Sequence, residues 1–125
     1  MKKKLVFLAM IFTAIFLVSC ANTAQKNNSD NVVRVSYQIK KENKSLSKKT
    51  VTVKKGASVL TGLKKAWPVK TENKMVTKID GHAQNPDLDQ YWLYDINGKE
   101  SKKGVDQQKL HDQDKVVFIL KDISK

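Results

Sequence analysis

Residues 91–99 read YWLYDINGK. Tyr91, Trp92 and Tyr94 fall within four positions, and Asn97-Gly98 follows directly. Asn-Gly after an alternating run is a strong signal of a two-residue β-hairpin turn, because a type I′ turn needs positive φ at both central positions. A strand here puts Trp92, Tyr94 and Ile96 on one face and Tyr91, Leu93 and Asp95 on the other. An aromatic on each face leaves two readings open. One is an ordinary strand that packs into a small core. The other is a strand with one ring set under a helix beside Trp67 and the second set free as a platform for a flat or apolar ligand. Asp95 makes the Tyr91 face the wetter one, and therefore the candidate platform. With it go Trp92, Tyr94, the turn residue Asn97, and His82 in the loop just upstream.

The segments on either side read as strands around one helix. In VVRVSYQIK (32–40), Val33, Val35, Tyr37 and Ile39 alternate with polar residues, and in TVTVKKG (50–56) Val51 and Val53 do the same. The two form a hairpin across a polar loop, KENKSLSK. In SVLTGLKKAWP (58–68), Ser58 suits an N-cap, Val59, Leu60, Leu63 and Trp67 recur at helical spacing, and Pro68 stops the run. Gly62 weakens this helix, which needs a sheet to lie on. MVTKI (75–79) is a third strand, DGHAQNPDLD (80–89) a loop of turn formers, and QYWLYDI (90–96) a fourth strand. Lys99 to Val105 returns from the Asn-Gly turn, DQQKLHDQD makes a turn or short helical segment, and KVVFIL (115–120) is the last strand. One helix on a mixed sheet is an α+β arrangement, a β-grasp-like roll.

The N-terminus reads as an address. MKKKLVFLAMIFTAIFLVSC has three lysines, an apolar run of about 14 residues, then Ser19 and Cys20, the pattern of a secretory signal. A membrane-spanning helix needs roughly 20 residues. Leu17-Val18-Ser19-Cys20 resembles the lipobox of bacterial lipoproteins, in which the cysteine thiol takes a diacylglyceryl group and the chain is cleaved just before it. The resemblance implies a signal peptide at 1–19, a lipid on Cys20, and a place on the outer face of the cell membrane. Cys20 is also the only cysteine, so no disulfide framework exists. ANTAQKNNSDN (21–31) has no large apolar residue and reads, with Cys20, as a lipidated flexible tether over 20–31. The remaining 32–125 is one small domain.

The full chain carries +12. Loss of Lys2, Lys3 and Lys4 with the signal leaves 21 basic and 12 acidic residues, or +9. From Lys26 to Lys78 there are fourteen basic and three acidic residues, against seven and nine from Ile79 onward. Such a segment reads either as one drawn to anionic lipid or wall polymer, or as the ordinary solvated surface of a lysine-rich protein. The lysine richness suits a Gram-positive-type envelope. Nucleic acid is not the expected partner, because the basic positions lack interleaved arginine and aromatic residues. No enzyme is expected either. His82 and His111 have no second His or Cys at metal-ligand spacing. The pairs Asp87/Asp89 and Asp112/Asp114 lie in turn-like stretches where Asp is common, and no Gly-rich phosphate loop is present.

GASVLTGLKKAW (56–67), KIDG (78–81), YWLYDINGK (91–99), GV (104–105) and LHDQDKVVF (110–118) are similar, in this order, to the transcobalamin-like C-terminal domain. That domain occurs in secreted and lipid-anchored bacterial proteins and forms the small β-rich part of animal cobalamin carriers. The resemblance implies a small-ligand-binding domain whose candidate cofactor is cobalamin or a related corrinoid, with a transporter or surface protein as candidate partner. Animal carriers clasp cobalamin between this domain and a large helical one. These residues offer one jaw, which leaves the other to a partner. The alternative is a non-enzymatic surface adaptor that contacts another protein or an anionic cell-wall polymer. The family often has Gly where Gln113 stands, so another turn geometry is expected at 112–114.

Overall fold

The computed structural model describes residues 31–124. The signal peptide read at 1–19, Cys20 and nearly all of the tether therefore lie outside the described residues.

The strands β1 (Val32–Lys41) and β2 (Lys44–Lys54) form the expected hairpin. The stretch read as a polar loop is mostly strand, however, and the chain turns at Glu42, with φ +52. The first part of β2 lacks alternation because it is an edge strand with little to bury. Its lysines blunt an edge that would otherwise invite further pairing. The helix α1 (Val59–Ala66) starts at Ser58, whose side chain accepts a hydrogen bond from the Thr61 backbone N–H, and ends at Trp67, just before Pro68. Its buried residues are Val59, Gly62, Leu63 and Ala66. Gly62 joins this stripe because a Cβ there would collide with the Tyr37 hydroxyl and come within 2.9 Å of the ring. The helix thus lies directly on β1, where the Tyr37 hydroxyl donates to the Val59 carbonyl at 2.7 Å. Burial, with the nearby Asp114 charge, pushes the Tyr37 pKa well above the ordinary tyrosine value.

After the helix come β3 (Val69–Glu72), β4 (Met75–Ile79) and β5 (His82–Ala83), a three-stranded meander. The sequence reading contained only β4. Its neighbours are four and two residues long, too short to show a period. The β3–β4 turn is Asn73-Lys74, both at positive φ (50° and 66°), and lysine is not a turn signal. The loop read at 80–89 holds β5 and a single 3-10 turn (Pro86–Leu88).

The strand β6 (Gln90–Ile96) turns at Asn97 (φ +51) and Gly98 (φ +84) into β7 (Lys99–Glu100), as a type I′ turn requires. The return stops at Glu100, not Val105. The chain then crosses to the helix, where the carbonyls of Gln108 and Val105 accept the Val59 and Leu60 N–H groups. These would otherwise be unsatisfied at a helix N-terminus. Before β8 (Lys115–Asp122), Gln113 takes φ +69. This is the left-handed region that favours glycine, adopted here by a residue with a Cβ.

The larger sheet runs β2-β1-β8-β6-β7, with β1 and β8 parallel and the other neighbours antiparallel. The architecture is mostly sheet with one short helix, a mixed-sheet α+β fold. One face of the sheet carries Val35, Tyr37, Ile39, Trp92, Tyr94, Val116, Phe118 and Leu120 into a core shared with α1, Val76 and Ile79.

Candidate functional site

The residues expected to act together are divided by the pleat. Trp92 and Tyr94 point into the core, 7% and 6% exposed, whereas Tyr91 stands half-buried on the opposite face. The ring pair does share a core with Trp67. What covers it is not the helix, which packs on β1 and β2, but β4 and the crossover after β7. The Trp92 indole N–H donates to the His82 carbonyl at 2.9 Å, so His82 supports the site through its backbone. Asn97 holds the chain together. Its side chain donates to an Asp114 carboxylate oxygen at 3.0 Å and accepts from the Lys115 N–H at 2.9 Å.

A pocket of about 230 Å³ opens over the Trp92/Tyr94 pair. Phe118 lies at its base, stacked on Tyr94 with ring centroids 5.1 Å apart. Val76 and Val105 add apolar wall, and Met75, 63% exposed, stands at the mouth. Lys74, Lys102 and Lys103 also line it. The tight Asn73-Lys74 turn brings Lys74 there, and the hairpin after Asn97-Gly98 brings the other two.

The two hydroxyls within the pocket are already paired. The Tyr94 hydroxyl donates to the Lys103 carbonyl at 2.6 Å and accepts from the Ser101 hydroxyl at 2.9 Å. Burial raises the Tyr94 pKa; the Ser101 hydrogen bond opposes the rise and Asp106 adds to it. Tyr94 therefore stays a neutral phenol at ordinary pH. Among the described residues no three His, Cys, Asp or Glu side chains come together. His111 lies beside Asp114 at 3.8 Å, far along the chain from the pocket residues of β4 and β6. The arrangement suits an apolar or flat group, with lysines available to an anionic substituent. Sequence reasoning found the aromatics but missed the Lys74, Met75 and Ser101–Val105 walls, whose only signal was the Tyr94 alternation that calls for a cover.

This is a small mixed-sheet α+β domain, and its likeness to part of haptocorrin gives it a transcobalamin-like fold. The chain belongs to the family described as "Domain of unknown function (DUF4430)", whose profile matches residues 56–122, more than half of its length. Among solved structures it is similar to haptocorrin in complex with Cbi, at 20% identity and a TM-score of 0.60 over 70% of this chain. The match spans only 25% of the haptocorrin chain. It is also similar to a putative metal-binding protein from Ruminococcus gnavus ATCC 29149, at 13% identity and a TM-score of 0.58, covering 72% of this chain and 97% of that one. At these identities the likeness is one of fold. No curated protein matches the sequence.

Proposed function

We propose that this protein is a non-enzymatic, lipid-anchored extracytoplasmic binding protein whose β-grasp-like domain holds one side of a small flat ligand, with a corrinoid as the leading candidate. The observation that carries the ligand reading is the Trp92/Tyr94/Phe118 pocket with its three lysines. Its 230 Å³ falls below the roughly 300–1,000 Å³ of pockets that engulf a ligand. It therefore suits one edge or substituent of a larger molecule, and a partner such as a transporter or surface protein closes the other side. The central parallel pair of first and last strands supports the β-grasp-like description. The match to part of haptocorrin supports the choice of a corrinoid. The lipobox-like Leu17-Val18-Ser19-Cys20 supports anchoring on the outer membrane face of a Gram-positive-type envelope, with handover of ligand for uptake as the role.

The pocket is tested by titrating the protein with a panel of flat cofactors that includes cobalamin and a porphyrin, following tryptophan fluorescence. Met75→Ala is the informative variant, because its exposure makes it nearly neutral for folding, within about 0.5 kcal/mol. Loss of its apolar contact should weaken binding several-fold, about 1 kcal/mol. A panel without a binder, or binding indifferent to Met75, would remove this reading.

Anchoring is tested separately. Cys20→Ala should abolish incorporation of labelled fatty acid in a bacterial host, since no other thiol is present. Two acyl chains contribute about 0.8 kcal/mol per buried CH₂, and their loss should release the protein from the membrane fraction. Equal labelling of the variant would end the lipoprotein reading.

A further inference from the structure

The face of the larger sheet opposite α1 carries two adjoining depressions, of about 390 and 350 Å³, that share Ser36, Thr50 and Lys115. Arg34 lines one and Gln38 and Lys48 the other. The register explains the assembly. Ser36 sits between Thr50 and Lys115 on neighbouring strands, and Gln38 between Lys48 and Val117. Strand spacing and rise place the Arg34 and Lys115 backbones about 8 Å apart. The resulting furrow crosses three strands, with Arg34, Lys48 and Lys115 set among Ser36, Thr50 and Gln38, and Asp114 also lines its Arg34 end.

The local carboxylates Asp112 and Asp114 offset it only in part. Among the described residues the ion pair within 4.0 Å joins His111 to Asp114, not a groove lysine. The Asp114 carboxylate also accepts the His111 N–H and the Asn97 amide. Asp112 accepts the Arg34 backbone N–H at 2.9 Å and offsets part of the Arg34 charge. Lys48 and Lys115 then supply most of the attraction.

We propose that this furrow binds an extended polyol-phosphate polymer of the cell wall. Cations meet the phosphodiesters, while Ser36, Thr50 and Gln38 hydrogen-bond the polyol hydroxyls. A single-stranded nucleic acid would call for aromatic rings on which bases stack, and the furrow has none lining it between Arg34 and Lys115 other than Tyr37, whose ring is in the core. A flat bilayer would not fill a concave surface. The inference rests on the exported location proposed above, and not on the ligand pocket, which lies on the other face.

The test uses the chain that begins at Ala21, because the core and the hydrogen bonds described lie wholly within 31–124. Poly(glycerol phosphate) is titrated by calorimetry, beside single-stranded DNA and phosphatidylglycerol vesicles. A lysine near an anionic surface is worth roughly five-fold in binding. The variant K48E/K115E should therefore lose at least about twenty-fold, while the equally charged K64E/K109E, away from the furrow, should lose less than about three-fold. Should K48E/K115E fail to fold, Q38L/T50V keeps every charge and should weaken the polyol polymer several-fold while leaving inorganic polyphosphate binding unchanged. Equal losses in the two charge variants, no polymer binding at low salt, or tighter binding to DNA or vesicles would each overturn the proposal. Met75→Ala should leave polymer binding intact, so failure of the pocket and failure of the furrow read out independently.

Discussion

Trp67→Ala is expected to lower the stability of the domain by about 3–5 kcal/mol, the usual cost of deleting a buried large aromatic. The ring is 4% exposed and belongs to the core, at the point where α1 ends and the chain leaves toward β3. Its backbone N–H still closes the last helical hydrogen bond, to Leu63 at 3.0 Å, so the side chain alone is removed. The Lys49 ammonium sits 5.8 Å from the ring centroid and donates to the Ala66 carbonyl at 2.9 Å. Without the indole, that lysine loses its aromatic neighbour and the cavity beneath it is open at the sheet edge. Small domains have only about 5–15 kcal/mol in total. At about 4–8 °C per kcal/mol for a domain of this size, the melting temperature should fall by more than about 12 °C. Urea unfolding measures the difference, and a change below about 1 kcal/mol would show that Trp67 is not part of the core.

Gly62→Ala should destabilise the domain although alanine is the better helix former. Alanine gains about 1 kcal/mol over glycine in a helix interior. Against this, the new methyl would collide with the Tyr37 hydroxyl, and the Tyr37 ring carbons stand 2.9 Å from its position. Either the helix lifts off β1 or Tyr37 turns away and breaks its bond to the Val59 carbonyl. Overpacking costs about 1–3 kcal/mol and the hydrogen bond about 1, so a net loss of about 1–3 kcal/mol is expected. Tyr37→Phe removes the first point of collision, and the double variant should be less unstable than the sum of the singles. Chemical denaturation of all four proteins gives the coupling. A Gly62→Ala protein as stable as the parent would mean that the helix sits farther from β1.

The Tyr91–Tyr94 segment illustrates how much of the site was legible. Alternation is a property of the backbone, so the division into a Trp92/Tyr94 face and a Tyr91 face followed from residue order alone. Asp95 marked the Tyr91 face as the wetter one, and Tyr91 does stand on the side away from the core; that the pocket opens over the inner Trp92/Tyr94 face instead was not legible. The cover came from Val76 and Met75, distant in sequence from Trp92, and from Ser101–Val105, which the sequence placed in a returning strand rather than in a crossover. Likewise Asn97 was legible as a turn residue through its dipeptide with Gly98. Its clamp on Asp114 and Lys115 was not, since that contact spans 17 and 18 positions.

Local chemistry alone determined the hairpin at Asn97-Gly98, the Ser58-to-Pro68 helix and the strands long enough to alternate, because caps, turn preferences and periods act within a few residues. The charge excess of the first half was equally plain from composition. Tertiary structure alone decided that Gly62 serves a helix–sheet contact, that β3 and β5 exist, and that Gln113 takes a left-handed conformation. It also gathered Arg34, Lys48 and Lys115 into one furrow, from strands whose order in the sheet, β2-β1-β8, no local signal contains. The physical reason is common to all of these. Short strands and strained turns are held by what packs on them, and pairing between the first and last strands depends on burial shared across the whole domain.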